Sequence, residues 1–370
     1  MSSSKDFIPS KYTHSIENGT FAWSAPSNIA LVKYWGKIEN QLNEAGEILT
    51  QIPANPSVSF TLNSCKTETK LAFAKKNNNG DFTFDLLFEG KPKEEFKPKI
   101  QKFLERVEIY LPFLNEYHFT IDTKNTFPHS SGIASSASGM AALAVNLMSL
   151  EKLLNPEMTD EYFNKKASFL ARLGSGSACR SIKGNVVVWG NHKNIKGSSD
   201  LFGVEFPNKI HDNFKNFQDT ILLVDKGEKQ VSSTIGHDLM HGHPFAEKRF
   251  AQAHENLDSL IKIFESGDLS EFIKIVESEA LTLHAMMMTS LPYFILMKPN
   301  TLEIINAIWK FRNETQIPVC FTLDAGANVH VLYPENVKIE VLTFIKNNLV
   351  GYCQNGQYIC DEIGFGTTKI

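Results

Sequence analysis

The sequence predicts an α+β fold in two lobes, residues 1–200 and 201–370. Three observations predict it. The chain's 370 residues can bury two hydrophobic cores, and 42% hydrophobic with 21% charged residues is the composition of a globular protein. Alternating apolar residues between positions 57 and 88 mark a β-rich region, after which helical spacing dominates. Between 191 and 208 the composition turns to Gly, Ser and Lys, as expected of a boundary between lobes.

The elements follow in order. Residues 1–20 are polar and read as a loosely held leader. Residues 20–23 read as a strand, and 24–37 turn out of it; a helical turn there would put Lys33 and Lys37, at i and i+4, on one face. Residues 38–56, broken by Pro53 and Pro56, read as loop. Strands are expected at 57–60, 67–75 and 82–88, the last two joined by an Asn-rich turn ending at Gly80. Ile100, Phe103, Leu104, Val107 and Leu111 form one stripe of a helix over 91–111, and a strand at 117–122 follows. Helices are expected from 135 to 150 and 160 to 173, then an apolar strand at 185–189. In the second half the pattern predicts strands at 220–224, 318–323 and 329–333, helices at 246–264, 268–290, 301–315 and 336–349, and a closing strand region.

A net charge of −4 argues against a general nucleic-acid binder. The five cysteines are scattered and odd in number, with no C-x-x-C pair, which points to a reducing compartment. No stretch reaches the roughly 18 apolar residues of a membrane span, and the N-terminus lacks a signal-peptide core. A cytoplasmic protein without membrane partners is expected.

Chemistry concentrates in loops. Residues 127–150 pass from small residues, including Ser130, Ser131, Gly132, Ser135 and Ser136, into an apolar helix. A helix starting there directs unpaired N–H groups and its positive dipole end at the loop, which favours a phosphate; the same residues also read as a Ser-capped buried helix. Comparable polar junctions lie at 28–37, 175–181 and 226–233. With the acidic Asp324, they supply what phosphoryl transfer requires: charge neutralisation, positioning and one base. Walker A is absent.

Pro128-His-Ser-Ser-Gly-Ile-Ala-Ser-Ser-Ala137 resembles the phosphate loop of the GHMP kinase superfamily. Within it, Ala25-Pro-Ser-Asn-Ile-Ala-Leu-Val-Lys-Tyr-Trp-Gly-Lys37, Ser175-Gly-Ser-Ala-Cys-Arg180 and Thr322-Leu-Asp-Ala-Gly-Ala-Asn328 are similar to the diphosphomevalonate decarboxylases, with softer matches at 231–234 and 283–285. The resemblance implies a two-lobe fold with phosphate sites in the cleft, and ATP- and Mg2+-dependent decarboxylation of mevalonate 5-diphosphate, a small-molecule substrate, to isopentenyl diphosphate. It implies that Asp324 meets the tertiary hydroxyl, Arg180 the carboxylate, and Lys33 the reacting oxygen. By the same resemblance Asn28, Tyr34, Lys37, Ser177, Lys229 and Ser232 bind substrate. Ser130, Ser131, Gly132, Ser135 and Ser136 face ATP, and Ser136 faces the metal. A homodimer is among the assemblies it allows.

The chain departs from the pattern at His129, at Ser130-Ser131, in a longer 39–54 loop, at Asn55-Pro-Ser57 and at Ala327. These leave open a kinase or decarboxylase acting on mevalonate or its 5-phosphate, and a non-catalytic homologue that binds isoprenoid phosphates. His237, His241 and His243 could suggest zinc, but without H-E-x-x-H, and with Gly242 and Pro244 between, exposed loop histidines are expected.

Overall fold

The computed structural model describes residues 3–38, 50–77, 80–128, 133–226 and 233–370. The first lobe is organised on strand β1 (Asn18–Val32). After it come a short ribbon, β2 (Lys37–Ile38) with β3 (Ile52–Pro53), then β4 (Ser57–Lys75), β5 (Thr83–Phe88), β6 (Lys91–Pro92), helix α1 (Lys97–Val107), β7 (Tyr117–Asn125), α2 (Ser135–Leu154), α3 (Asp160–Gly174), β8 (Val186–Trp189) and β9 (Val204–Glu205). β1 and β4 pair antiparallel, and β7 and β5 extend the sheet, the last pair being parallel. The core against this sheet is filled by α1, α2 and α3 through residues such as Phe103, Leu143, Leu147 and Phe169.

Several expectations are corrected here. Residues 24–32 continue β1 instead of turning out of it, so Lys33 and Lys37 share no helical face. Every residue from Ser24 to Val32 is buried, which erases the period-2 alternation that marks a half-exposed strand. Pro26 is accommodated because the β1–β4 register shifts between Pro26 and Asn28, so no ladder bond is required of it there. The strands expected at 57–60 and 67–75 are one, β4. The first helix is shorter than 91–111, because Lys91–Pro92 pair with β5 and the turns beyond Val107 tighten into 3-10 geometry. The leader is not loose: Phe7 is buried and stacks on Phe169 at 4.3 Å, and the Thr13 N–H donates to Leu154 O.

The second lobe contains β10 (Gln218–Leu222), α4 (Ser233–Asp238), α5 (Ala246–Ser266), α6 (Leu269–Met288), α7 (Pro299–Thr315), β11 (Cys320–Thr322), β12 (Val329–Tyr333), α8 (Lys338–Phe344), β13 (Tyr358–Glu362) and β14 (Thr368–Lys369). Its sheet is antiparallel in the order β11-β12-β10-β13. Gly267 ends α5 with φ +79°, a conformation that favours glycine, and the Asp268 carboxylate accepts from the Ser270 and Glu271 N–H groups to start α6. The helical run at 336–349 divides into α8 and a π turn, Ile345–Leu349. Ile29, Leu31, Val58 and Phe60 of the first sheet share one core with Phe217, Phe264, Phe272 and Leu332. β14 returns to pair with β1 at Trp23 and Ser24. No described helix is long and apolar enough to cross a membrane.

Candidate active site

A cavity of about 630 Å³ opens between the end of β1, the start of α2, the 174–180 loop, α4 and the 324–325 turn. Asn28, Lys33, Tyr34, Lys37, Ser135, Ser136, Ser177, Arg180 and Asp324 all line it, although the chain separates them by up to about three hundred residues. Ser130, Ser131, Gly132, Lys229 and Ser232 lie outside the described residues.

Lys33 Nζ lies 3.0 Å from Asp324 Oδ1, the lysine buried and the carboxylate about a third exposed. Burial lowers the Lys33 amine below its ordinary value, and Asp324 opposes that shift. The Lys33 peptide is gripped on both sides. Its N–H donates to Glu279 Oε2 at 2.8 Å, and its carbonyl accepts from Arg249 Nη2 at 3.1 Å and Asn55 Nδ2 at 2.9 Å. Arg249 and Glu279, both fully buried, bind each other through two contacts of 3.0 and 2.5 Å. Sequence reasoning missed this pair because each residue sits inside an ordinary amphipathic helix. Asp324 is fixed from behind by His284, whose Nε2 lies 3.2 Å from the Asp324 carbonyl.

Arg180 is buried and charged. Its Nη1 donates to Ser57 Oγ at 2.5 Å, its Nε reaches Asn28 Oδ1 at 3.4 Å, and its guanidinium lies 5.8 Å from the Trp189 ring. Asn28 Nδ2 in turn donates to Ser177 O and to Ser181 Oγ. Asn28 and Ser57 therefore aim Arg180, and the strand β1 delivers Asn28 and Lys33 to the same cleft. Among the described residues the buried Tyr34 hydroxyl has no hydrogen-bond partner.

Helix α2 begins after Ala134, which has φ 40° and ψ 37°. The N-cap is thus Ala134 and not a serine, and among the described residues no side chain caps the first-turn N–H groups, an arrangement open to an anion. Ser27 Oγ donates to Ile133 O at 2.7 Å, tying the loop to β1. Lys99 of α1, which lacks any motif, reaches Ser136 Oγ at 2.7 Å and adds a cation at this helix start. Among the described residues no cluster of three His, Cys, Asp or Glu could hold a metal. A Mg2+ fits only as magnesium commonly binds, through nucleotide phosphates and water with a hydroxyl such as Ser136, and Lys99 would then have to shift to the phosphates.

The histidines are not all exposed. His237 is buried, packed 4.2 Å from the Tyr34 ring and 4.7 Å from Trp35, and accepts from the Gly36 N–H; His243 is buried against Met286 O. Only His241 of the three is exposed. The i, i+4 spacing concealed this because α4 ends at Asp238.

The architecture is that of the GHMP kinase class, with solved relatives aligning over nearly the whole chain. The models for the diphosphomevalonate decarboxylase-like N-terminal domain and the mevalonate 5-diphosphate decarboxylase C-terminal domain match residues 25–201 and 220–363. The chain belongs to the diphosphomevalonate decarboxylase family. It is 30% identical over 344 residues to the diphosphomevalonate decarboxylase of Debaryomyces hansenii, covering 88% of this chain and 82% of that protein. The structure of mevalonate diphosphate decarboxylase from Staphylococcus aureus aligns with TM-score 0.78 and 28% identity over 95% of this chain and 98% of that one. A complex described as MDDEF with MVAPP, AMPPCP and magnesium aligns with TM-score 0.78 and 28% identity over 95% and 99%.

Proposed function

We propose that this chain catalyses the ATP- and Mg2+-dependent decarboxylation of mevalonate 5-diphosphate to isopentenyl diphosphate, releasing ADP, phosphate and CO2. The observation that carries this reading is the 3.0 Å Lys33–Asp324 contact in one cavity with the buried Arg180. Asp324 accepts the proton of the substrate's tertiary hydroxyl as that oxygen attacks the γ-phosphorus of ATP. Lys33, 3.0 Å from the Asp324 carboxylate, then offsets charge on the bridging oxygen. The C–O bond to the new phosphate breaks with its electron pair leaving on phosphate. The bond from the same carbon's neighbour to the carboxylate then supplies electrons for the double bond as CO2 departs. Arg180, aimed by Asn28 and Ser57, orients that carboxylate without protonating it.

The uncapped start of α2, with Ser135, Ser136 and Lys99, takes the nucleotide phosphates, and bound Mg2+ neutralises their charge. Phe88, Phe96, Ile100, Ile121, Met140 and Leu143 form the apolar end of the cavity, suited to an adenine ring. Tyr34, Lys37 and Ser177 face the substrate; Lys229 and Ser232 are assigned to its diphosphate on motif grounds alone. Five free cysteines, four of them buried, suit a cytoplasmic location.

The deciding experiment measures ADP and CO2 together with mevalonate 5-diphosphate and 5-phosphate side by side. Equal ADP and CO2 from the diphosphate is expected; ADP without CO2 would make the chain a kinase, and preference for the monophosphate would reassign the substrate.

A further inference from the structure

We propose that His237 is a substrate-binding residue: its Nε2–H donates a hydrogen bond to the diphosphate of the bound substrate. This rests on the reading of the site given above. The tautomer follows from geometry. The Gly36 N–H donates to His237 Nδ1 at 3.0 Å, so Nδ1 carries a lone pair, and in the neutral ring the proton is on Nε2. The imidazole is held between Tyr34 and Trp35, with ring centroids 4.2 and 4.7 Å away, and it lines the cavity beside Lys37 and Arg180. No hydrogen-bond partner for Nε2 is present among the described residues.

Location decides what the donor meets. Asp324 and Arg180 occupy the reacting end of the substrate, so its anionic tail must be met by groups elsewhere on the wall. Tyr34 and His237 are there as one packed pair. The buried Tyr34 hydroxyl has no partner among the described residues, and Lys37 supplies a charge nearby. A neutral N–H suits this place because burying a further cation beside Lys37 and Arg180 would be costly, whereas an imidazole donor satisfies a phosphate oxygen without that penalty. Burial, with Lys37 and Arg180 close by, holds the ring well below its ordinary value and keeps it neutral.

Two substitutions separate ligand binding from support of Gly36. His237→Gln places an amide N–H near the Nε2 position but loses the Nδ1 acceptor; His237→Asn keeps an acceptor for Gly36 but is too short to reach a ligand. Calorimetric binding of mevalonate 5-diphosphate without ATP, the Ki of inorganic pyrophosphate against that substrate, the KM for ATP and the melting temperature are measured for each. In His237→Asn the substrate Kd and the pyrophosphate Ki are expected to rise together by about tenfold or more, the loss of one hydrogen bond to a charged group. The KM for ATP stays within about twofold, and His237→Gln recovers most of the substrate affinity. Wild-type affinity in His237→Asn, recovery by Asn but not Gln, or a pyrophosphate Ki that stays constant while the substrate Kd rises would overturn the assignment. A wild-type chain that binds mevalonate 5-diphosphate but releases no CO2 would instead overturn the reaction, leaving His237 judged by the binding data.

Discussion

A buried lysine 3.0 Å from a partly exposed aspartate forms a pair in which each charge depends on the other. Replacing Asp324 by Asn leaves the shape intact and removes both the proposed base and the counter-charge to Lys33. Turnover is expected to fall by about 10² to 10⁴-fold, while ATP affinity, measured by titration, stays within about threefold. Parallel loss of both would make Asp324 a structural residue. His284, behind Asp324, gives a pH dependence. Burial pushes its imidazole from the ordinary 6.5 down to about 4, with Lys33 adding to the shift and its bond to the Asp324 carbonyl opposing it. As pH falls the unfolded chain takes up this proton first. The contribution to stability is therefore complete above about 6.5 and is lost between there and about 4. Urea midpoints at several pH values should show an acid limb to which His284 contributes on the order of 3 kcal/mol, and His284→Asn should make it shallower, leaving the part due to buried His237. Parallel profiles for the two proteins would sink the idea.

At the scale of elements, α5 and α6 act on the site through one peptide. Arg249 and Glu279 hold the Lys33 carbonyl and N–H, fixing where the lysine leaves β1. Glu279→Gln should destabilise the fold by about 3 to 5 kcal/mol, because Arg249 stays buried without its counter-charge. Adding Arg249→Met should recover much of that stability, since both charges are then gone. It should not recover kcat, because the Lys33 peptide loses the Arg249 donor along with the carboxylate. If thermal stability and kcat recover together, the pair has no positioning role. Helix α2 is set with similar care: Thr67 and Ser138 hydroxyls meet at 2.6 Å and Asn146 Nδ2 donates to Thr69 O at 3.0 Å, locking this helix to β4.

The whole molecule is closed by its C-terminal segment, which leaves the second lobe and joins the first sheet. Gly364 N–H donates to Thr61 O, Thr367 N–H to Ile182 O and Ile370 N–H to Ala22 O. A Cβ at Gly366 would lie 2.1 Å from Ile182 O and 2.5 Å from Lys183 Cα, both backbone atoms that cannot yield cheaply. Gly366→Ala should therefore lower stability by about 1 to 3 kcal/mol, seen as a reduced melting temperature. Gly366 does not line the cavity, so kcat well below the melting temperature should match the parent. An unchanged melting temperature would show that the segment contributes little to holding the lobes.

Much of this was legible in the residues themselves. The 128–137, 175–180 and 322–328 motifs carry the family, and helices such as α3, α5 and α7 and strand β12 follow from local periodicity. Periodicity failed where burial is two-sided: residues 24–32 look like a turn because no face of the strand meets water. Local pattern also could not reveal partners far apart in the chain. Ser57 beside Arg180, Lys99 at the start of α2 and Glu279 with Arg249 around Lys33 are ordinary residues until the fold juxtaposes them. The sequence by itself determined the family and so which groups are candidates for the chemistry, because short motifs encode chemistry in local order. Only the tertiary structure decided how those groups are aimed and charged, since burial, hydrogen-bond partners and neighbouring charges all come from segments brought together by packing.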